Sequence, residues 1–221
     1  MDKLLLEWNK SGSPGGSFAV IKDGKVLYKG GFGYGNLDYD YPNAPNTVFY
    51  LASVSKQLTA MSMALLEEQG RISLDDDIRK YFPEIPDYGY RVTIRNLIHH
   101  TSGLRDYLNL WILKGRSYAD VFDEQEIINL IARQKALNFK PGDQYMYSNS
   151  GYFLMAVLVK RVTGMSLRDY TNQYFFQPLE MNNTHFHDNR NMIVKNRAES
   201  YVKNDSVLER VHSSFDLVGS G

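Results

Sequence analysis

The 221-residue sequence contains no cysteine, which excludes disulfide bonds, thiolate catalysis and cysteine-bound metals. It carries no net charge, because 25 basic side chains balance 25 acidic ones, so no global field favours nucleic acid or an anionic membrane. No apolar run approaches the roughly 20 residues of a membrane span, and the leucine run at positions 4–6 is too short for a signal peptide. The sequence therefore predicts a globular protein without a membrane span or a nucleic-acid partner.

The composition is ordinary for such a protein, with 43% hydrophobic and 23% charged residues. The length allows one large domain or two small ones with a substantial core. Near the N-terminus, the β-rich runs Phe18–Ile21 and Val26–Tyr28 flank an Asp-Gly pair, which predicts a β-hairpin over residues 15–36. A lone hairpin is marginally stable, so its sheet needs further strands, and the later sequence offers few candidates.

A mainly helical stretch follows the hairpin. Its segment "RISLDDDIRKYFPEIP" (71–86) is expected to contain a short capped turn with Ser73 or Asp75 as the N-cap. The tail from Glu180 to Gly221 is polar and loop-like, with a strand predicted near Ala198–Val202. Apolar periodicity predicts helices over Tyr50–Gly70, Val92–Leu104, Glu124–Leu137, Asn149–Gly164 and Ser166–Leu179.

The first of these helices opens with the pattern Ser-x-x-Lys, formed by Ser53 and Lys56. Residues three apart share a helix face, so the lysine amine can approach the serine hydroxyl, and burial would favour a neutral, basic amine. A serine hydroxyl needs such a base to become a good nucleophile. The alternative is that Ser53 caps the helix and Lys56 is solvated. A second Ser-x-x-Lys, Ser200 to Lys203, lies in the polar tail without a helix.

A second candidate is the triplet Tyr147-Ser148-Asn149, in a loop just before the most apolar helix. A tyrosine hydroxyl can relay protons, and an asparagine amide can both donate to and accept from a substrate amide. Taken alone the triplet is weak, and the alternative is a turn in which Ser148 or Asn149 caps the helix.

Taken in order, these motifs resemble the serine β-lactamase and penicillin-binding-protein superfamily. The resemblance is strongest to the class C (AmpC-like) branch, which includes esterases and D-aminopeptidases, because Tyr-Ser-Asn stands where the class A branch has Ser-Asp-Asn. Two further segments match that family, "LIHHTSGL" (97–104) and "PLEMNNTHF" (178–186). The resemblance extends from about Gly16 to Gly221.

The resemblance implies an α+β fold of the β-lactamase/transpeptidase type, an antiparallel sheet flanked by helices plus a mainly helical region. Residues 1–221 would form the N-terminal part of a single such domain: the hairpin at 15–36, the nucleophile helix at 50–70, the helical region at about 75–185 and the polar tail at 186–221. The resemblance suggests a periplasmic or extracellular protein, although this sequence shows no signal peptide, and neither the compartment nor the oligomeric state is predicted.

The resemblance also implies a serine acyl hydrolase that acts through a covalent acyl-enzyme on a β-lactam, peptide or ester carbonyl. Ser53 would be the nucleophile, Lys56 and Tyr147 would share the proton transfer, and Asn149 would bind the substrate amide. The Ser53 backbone N–H would supply half of an oxyanion hole. The alternatives are a carboxylesterase or D-aminopeptidase on the same fold, or a catalytically silent homologue or truncated fragment that acts as a binding or scaffold module.

The sequence departs from the family in two respects. The third motif, Lys- or His-x-Gly on a late strand, has no counterpart, since Lys10-Ser11-Gly12 and Lys22-Asp23-Gly24 both precede the serine. The sequence also ends at "DLVGSG", within what resembles a glycine-rich motif. We therefore expect an N-terminal fragment that lacks the C-terminal strands of the sheet.

No metal or other cofactor is predicted. The adjacent His99 and His100 would point to different helix faces, and there is no H-E-x-x-H motif. The pair His185 and His187 comes nearest to a ligand set, but structural or surface roles are the default for all five histidines, which are His99, His100, His185, His187 and His212. The expected partner is a small-molecule or peptide acyl substrate.

Overall fold

The computed structural model describes residues 2–6, 9–205 and 207–211, which fall into two compact units. The first unit contains the described residues of 1–50 and 191–211, and the second contains residues 51–190. The prediction of a single domain with the boundaries given above stays a prediction. In the described part of the chain, no helix is both long and apolar enough to cross a bilayer.

The first unit is built from short antiparallel pairs. Strands β1 (Gly16–Lys22) and β2 (Lys25–Phe32) form the predicted hairpin, with a register irregularity after Val20. Both turn residues have positive φ, 50° at Asp23 and 71° at Gly24. That geometry matches the right-handed twist of the flanking strands and explains the Asp-Gly signal. The hairpin prediction is confirmed.

The other described elements of this unit are short. A helical turn, α1 (Asp2–Leu5), precedes the hairpin, and β3 (Tyr34–Asn36) pairs with β4 (Tyr41–Pro42). The tail contains β5 (Tyr201–Asn204) and β6 (Val207–Arg210), which pair antiparallel. The predicted strand near Ala198–Val202 therefore lies three residues too early at its start, and its partner was not predicted. The end of the tail, at residues 212–221, lies outside the described residues.

The second unit is helical and is organised around α6 (Asn149–Thr163). Ten consecutive residues of this helix, 150–159, are buried, which is the pattern of a helix surrounded on all sides. It packs against α2 (Lys56–Glu68), α3 (Ile94–Ile98), α4 (Tyr107–Leu113) and α7 (Leu167–Thr171). Gly164 ends α6 with a left-handed φ of 77°, as its position predicts.

Several helices are shorter than predicted. The helix α5 spans Glu124–Ala132, and α7 passes into a π-helical turn at Asn172–Phe176. A 3-10 turn at Ile78–Lys80 is capped by Asp77, so the prediction of Ser73 or Asp75 as its cap was wrong. The nucleophile helix begins as a 3-10 turn, Ala52–Ser55, before α2. Helix α4 was not predicted at all.

The largest difference concerns the segment predicted as one helix over Val92–Leu104. Thr93 caps α3 as expected, in a reciprocal pair of hydrogen bonds with Asn96, but the helix ends at Ile98. His100 and Gly103 then adopt left-handed φ values of 56° and 72°, which an α-helix cannot contain. Residues 99–106 form a loop instead, which we call the histidine loop.

Candidate active site

Ser53 lies in the 3-10 turn at the start of α2, with an exposed side chain. The preceding residue, Ala52, has a left-handed φ of 47°, which is strained for a residue with a Cβ atom. Neither the 3-10 turn nor α2 has a side-chain N-cap, and their cap positions are Leu51 and Ser55. The alternative that Ser53 caps the helix is therefore wrong.

Lys56, the first residue of α2, is buried, with 6% of its surface exposed. Its Nζ lies 3.0 Å from Ser53 Oγ and 3.0 Å from Asn149 Oδ1. The rings of Tyr147 and Tyr152 enclose the amine, with centroids 5.1 and 5.5 Å from Nζ. The alternative of a solvated first-turn lysine is also wrong.

Tyr147 completes the group from the other side. Its hydroxyl donates to Ser53 Oγ at 2.8 Å, and the residue is 43% exposed. Ser148 occupies the N-cap position of α6 without a side-chain bond, and Asn149 is the first residue of that helix. The structure thus brings all four predicted residues, Ser53, Lys56, Tyr147 and Asn149, into one hydrogen-bonded group.

The histidine loop supports this group through two residues for which the sequence analysis predicted no role in the site. Asp106 Oδ2 accepts the backbone N–H of Asn149 at 2.5 Å and its side-chain Nδ2–H at 2.9 Å. Because a carboxylate only accepts, the Asn149 amide must turn its nitrogen to Asp106 and its oxygen to Lys56. The other oxygen of Asp106 caps α4 by accepting from Leu108 and Asn109.

The second supporting residue is His100. Its Nδ1 accepts the N–H of Ser148 at 3.1 Å, and its ring lies against the ring of Tyr147, with centroids 4.4 Å apart. Burial lowers the pKa of His100, and the positive charge of Lys56 acts in the same direction. The ring is therefore neutral at pH 7.

Tyr152, on α6, places its ring against the amine of Lys56. Its hydroxyl donates to the carbonyl of Ile98 at 3.0 Å, and burial raises its pKa, with Tyr147 and Tyr145 adding to the shift. A neutral phenol is therefore the stable form of Tyr152 across the neutral pH range.

Of the two supporting residues in the histidine loop, only Asp106 has a sequence signal for its role. It is an aspartate directly before the apolar run "YLNLWIL", which is the position of a helix cap. No sequence pattern predicts the contacts that His100 makes.

The remaining candidates lie elsewhere. The second Ser-x-x-Lys motif lies at strand β5, which contains Lys203 and begins directly after Ser200. In an extended chain, side chains three residues apart point to opposite faces, so this serine and lysine do not face each other. His185 Nε2 and His187 Nδ1 lie 3.4 Å apart. Within the described residues, no three His, Cys, Asp or Glu side chains lie close enough to hold a metal, and His212 lies outside them.

Comparisons with known proteins identify the family of the chain. The chain is 35% identical over 176 residues to a penicillin-binding protein of Bacillus subtilis, covering 79% of this chain and 38% of that protein. It is 36% identical over 169 residues to a D-aminopeptidase of Brucella anthropi, covering 76% and 32%. Its fold matches the octameric penicillin-binding protein homologue from Pyrococcus abyssi with a TM-score of 0.85 at 27% identity, covering 100% of this chain and 51% of that one.

The chain therefore spans about a third of the length of these two curated relatives. The class C branch is consistent with these relatives but stays a prediction. The α+β fold is the β-lactamase/transpeptidase-like fold that the resemblance implied. The model of the Beta-lactamase family matches residues 3–212, and the chain belongs to that family.

Proposed function

We propose that the protein is a serine acyl hydrolase in which Ser53 forms a covalent acyl-enzyme. The observation that carries the proposal is that Ser53 Oγ lies within hydrogen-bond distance of two proton-transfer groups, Lys56 Nζ at 3.0 Å and Tyr147 OH at 2.8 Å. A serine with an adjacent base is the arrangement that nucleophilic catalysis needs.

In the acylation step, Ser53 Oγ forms a bond to the substrate carbonyl carbon while its proton passes to Lys56 or Tyr147. The bond between that carbon and the leaving nitrogen or oxygen then breaks, and the same pair returns the proton to the leaving group. Water next attacks the ester carbonyl, releases the acid and restores the serine hydroxyl. The two groups on either side of Oγ allow one to accept a proton while the other donates.

The backbone N–H of Ser53 has no acceptor among the described residues and is available to the developing oxyanion. Loss of one such donor typically costs ~10²–10³ in rate. Asn149 lies beside the base, with its Oδ1 3.0 Å from Lys56 Nζ, and we propose that it binds the amide of the substrate acyl group. Its orientation toward Lys56 is set by Asp106.

For the substrate we propose a β-lactam or a peptide with a D-residue, since the relatives include a penicillin-binding protein and a D-aminopeptidase. A carboxylesterase would use the same steps with an alcohol as the leaving group. A silent homologue or truncated fragment that acts as a scaffold would need no base at Ser53, and the buried contact of Lys56 with this serine favours an enzyme.

Covalent labelling tests the proposal. The protein is incubated with a fluorescent penicillin and, separately, with a fluorophosphonate, alongside Ser53→Ala and the matched control Ser200→Ala. We expect wild type and Ser200→Ala to be labelled equally and Ser53→Ala not at all. Equal labelling of all three proteins would exclude Ser53 as the nucleophile, and a folded wild type that resists both probes would favour the silent homologue. Hydrolysis of chromogenic β-lactams, D-aminoacyl amides and short esters then separates the substrate classes.

Asp106→Asn should slow labelling of Ser53 by roughly 10- to 100-fold without abolishing it. An asparagine cannot offer acceptors both to Asn149 and to the α4 N-terminus, so either the Asn149 amide loses its orientation or the helix loses its cap. The unfolding free energy should fall by about 1–2 kcal/mol. The measurements are the labelling rate and urea unfolding.

Asp123→Asn is the matched control for that variant. Asp123 caps α5 through the N–H of Glu126, and asparagine caps a helix about as well as aspartate. Both the labelling rate and the stability should stay close to wild type. A loss of labelling in Asp123→Asn as large as that in Asp106→Asn would show that capping, and not the Asn149 contact, explains the effect.

A further inference from the structure

His100 takes no part in the reaction as proposed, yet it contacts the chain on both sides of Tyr147. Its carbonyl accepts the N–H of Met146 at 2.9 Å, and its Nδ1 accepts the N–H of Ser148 at 3.1 Å. Its ring also lies 4.4 Å from the Tyr147 ring, centroid to centroid. Three separate contacts from one residue therefore fix the backbone and the ring of the tyrosine.

The contact with Ser148 specifies the chemical form of the imidazole. A ring nitrogen that accepts an N–H carries a lone pair, so Nδ1 is unprotonated and the hydrogen of the neutral ring is on Nε2. Protonation would place a second N–H at Nδ1, where it would face the N–H of Ser148. The bond would be lost, and the chain beside Tyr147 would have to move.

We propose that His100 is a positioning residue that holds Tyr147 on Ser53 only as the neutral Nε2–H imidazole, so that mild acid disables the site through this ring. The inference rests on the proposed role of Tyr147 in proton transfer. His100 itself is not assigned a proton-transfer step, because its Nδ1 is occupied by Ser148 and the reacting oxygen is contacted by Tyr147 and Lys56.

The groups around His100 support this assignment. Lys56, from α2, opposes a second positive charge whenever its amine carries a proton, as does the neighbouring His99, while the carboxylate of Asp106 acts in the opposite sense. Rings of Tyr145 and Tyr147 from one loop and Tyr152 from α6 cover the imidazole, with centroids 5.8, 4.4 and 5.1 Å away. His100 is half-buried by these rings, and this partial loss of water disfavours an imidazolium.

The left-handed φ of 56° at His100 limits which residues can replace it without strain. Asparagine tolerates this conformation well, and its Oδ1 is joined to Cγ as Nδ1 is in histidine. His100→Asn therefore keeps an acceptor for Ser148 but cannot be protonated in the neutral range. His100→Phe keeps a ring against Tyr147 but has no acceptor. His99→Asn, at an exposed neighbouring position, is the matched control.

The first readout is the rate at which a fluorophosphonate labels Ser53 between about pH 8 and pH 5. We expect His100→Asn to be within about threefold of wild type at the alkaline end and to lose less activity toward acid. His100→Phe should be at least about tenfold slower throughout, and His99→Asn should follow wild type. Identical acid losses in wild type and His100→Asn would overturn the proposal, because a purely structural residue would leave the shape of the pH profile unchanged.

The second readout does not depend on catalysis. Nitrogen-15 NMR of the imidazole should show Nδ1 unprotonated and Nε2 protonated at neutral pH; an Nδ1–H ring would overturn the proposal. Because folding lowers the pKa of His100, its stabilising contribution is complete above about pH 6.5 and is lost as the pH falls below it. Wild type should therefore lose more stability toward acid than His100→Asn does. If wild type is not labelled at all, the proposed function fails, and these two measurements still decide the state of His100.

Discussion

Lys56→Met should lower the labelling rate of Ser53 by roughly 10²–10⁴ while leaving the fold intact. Methionine has a similar length and suits a buried position, so the packing around α2 is retained. What disappears is the amine 3.0 Å from the serine oxygen, and with it a base for the proton that must leave Oγ. Tyr147 remains, which is why we expect a large loss rather than complete inactivity.

The same substitution should not destabilise the protein. A lysine with 6% exposure keeps its polar head away from water, so its removal relieves a desolvation cost that offsets the loss of the donor to Asn149 Oδ1. We expect the unfolding free energy to stay within about 1 kcal/mol of wild type. Urea unfolding monitored by circular dichroism measures it.

Lys160→Met is the control for removing a lysine from a helix. Lys160 lies on the exposed side of α6, where it pairs with Glu124, so its loss should change neither labelling nor stability appreciably. If Lys56→Met unfolds the protein, Lys56 is chiefly structural. If Lys56→Met keeps both its fold and its full labelling rate, Lys56 is not the base.

Gly103→Ala should be the most destabilising substitution in the histidine loop, lowering the unfolding free energy by about 4 kcal/mol or more. The added Cβ would lie 2.3 Å from the carbonyl oxygen of Phe139, and the φ of 72° is itself unfavourable for alanine. The backbone of Phe139 cannot move freely, because the adjacent Asn138 donates its N–H to the Gly103 carbonyl at 2.8 Å.

Gly164→Ala separates the cost of the positive φ from the cost of the close contact with Phe139. Gly164 has a similar φ of 77°, but a Cβ there would meet nothing within 4 Å, so only the conformational cost of about 1–2 kcal/mol applies. Equal destabilisation by the two substitutions would show that the contact with Phe139 has no importance. The loop that carries Gly103 also carries His100 and Asp106, so we expect labelling to fall in Gly103→Ala even where the protein stays folded.

The sequence was sufficient for those parts of the fold whose signal is local. The Asp-Gly turn requires positive φ at both residues, and the hairpin follows from it. The continuous apolar run of α6 and the glycine behind it identify a buried helix whatever surrounds it. Helix α4 was not predicted because "YLNLWIL" has no clear polar face; the cap by Asp106 and the burial of Tyr107 and Trp111 define it in the structure.

The same distinction applies to the site. Ser53 and Lys56 are neighbours in sequence, so their contact follows from helical spacing, and Tyr147 and Asn149 were placed beside them by resemblance. His100 and Asp106 depend on the left-handed turns at positions 100 and 103, which break a stretch whose periodicity favours one continuous helix. Tertiary hydrogen bonds from Asn138 to Gly103 and from the residues flanking Tyr147 to His100 stabilise that break, and no local pattern encodes them.

Locating the covalent adduct tests the central claim most directly. The protein is acylated with a slowly hydrolysed β-lactam or a fluorophosphonate, digested with trypsin and analysed by fragment-ion mass spectrometry. The peptide from Gly30 to Lys56 contains both Ser53 and Ser55, so fragmentation between them identifies the modified oxygen. We predict one adduct, on Ser53; an adduct on Ser55, on Tyr147 or on any other residue in its place would contradict the account.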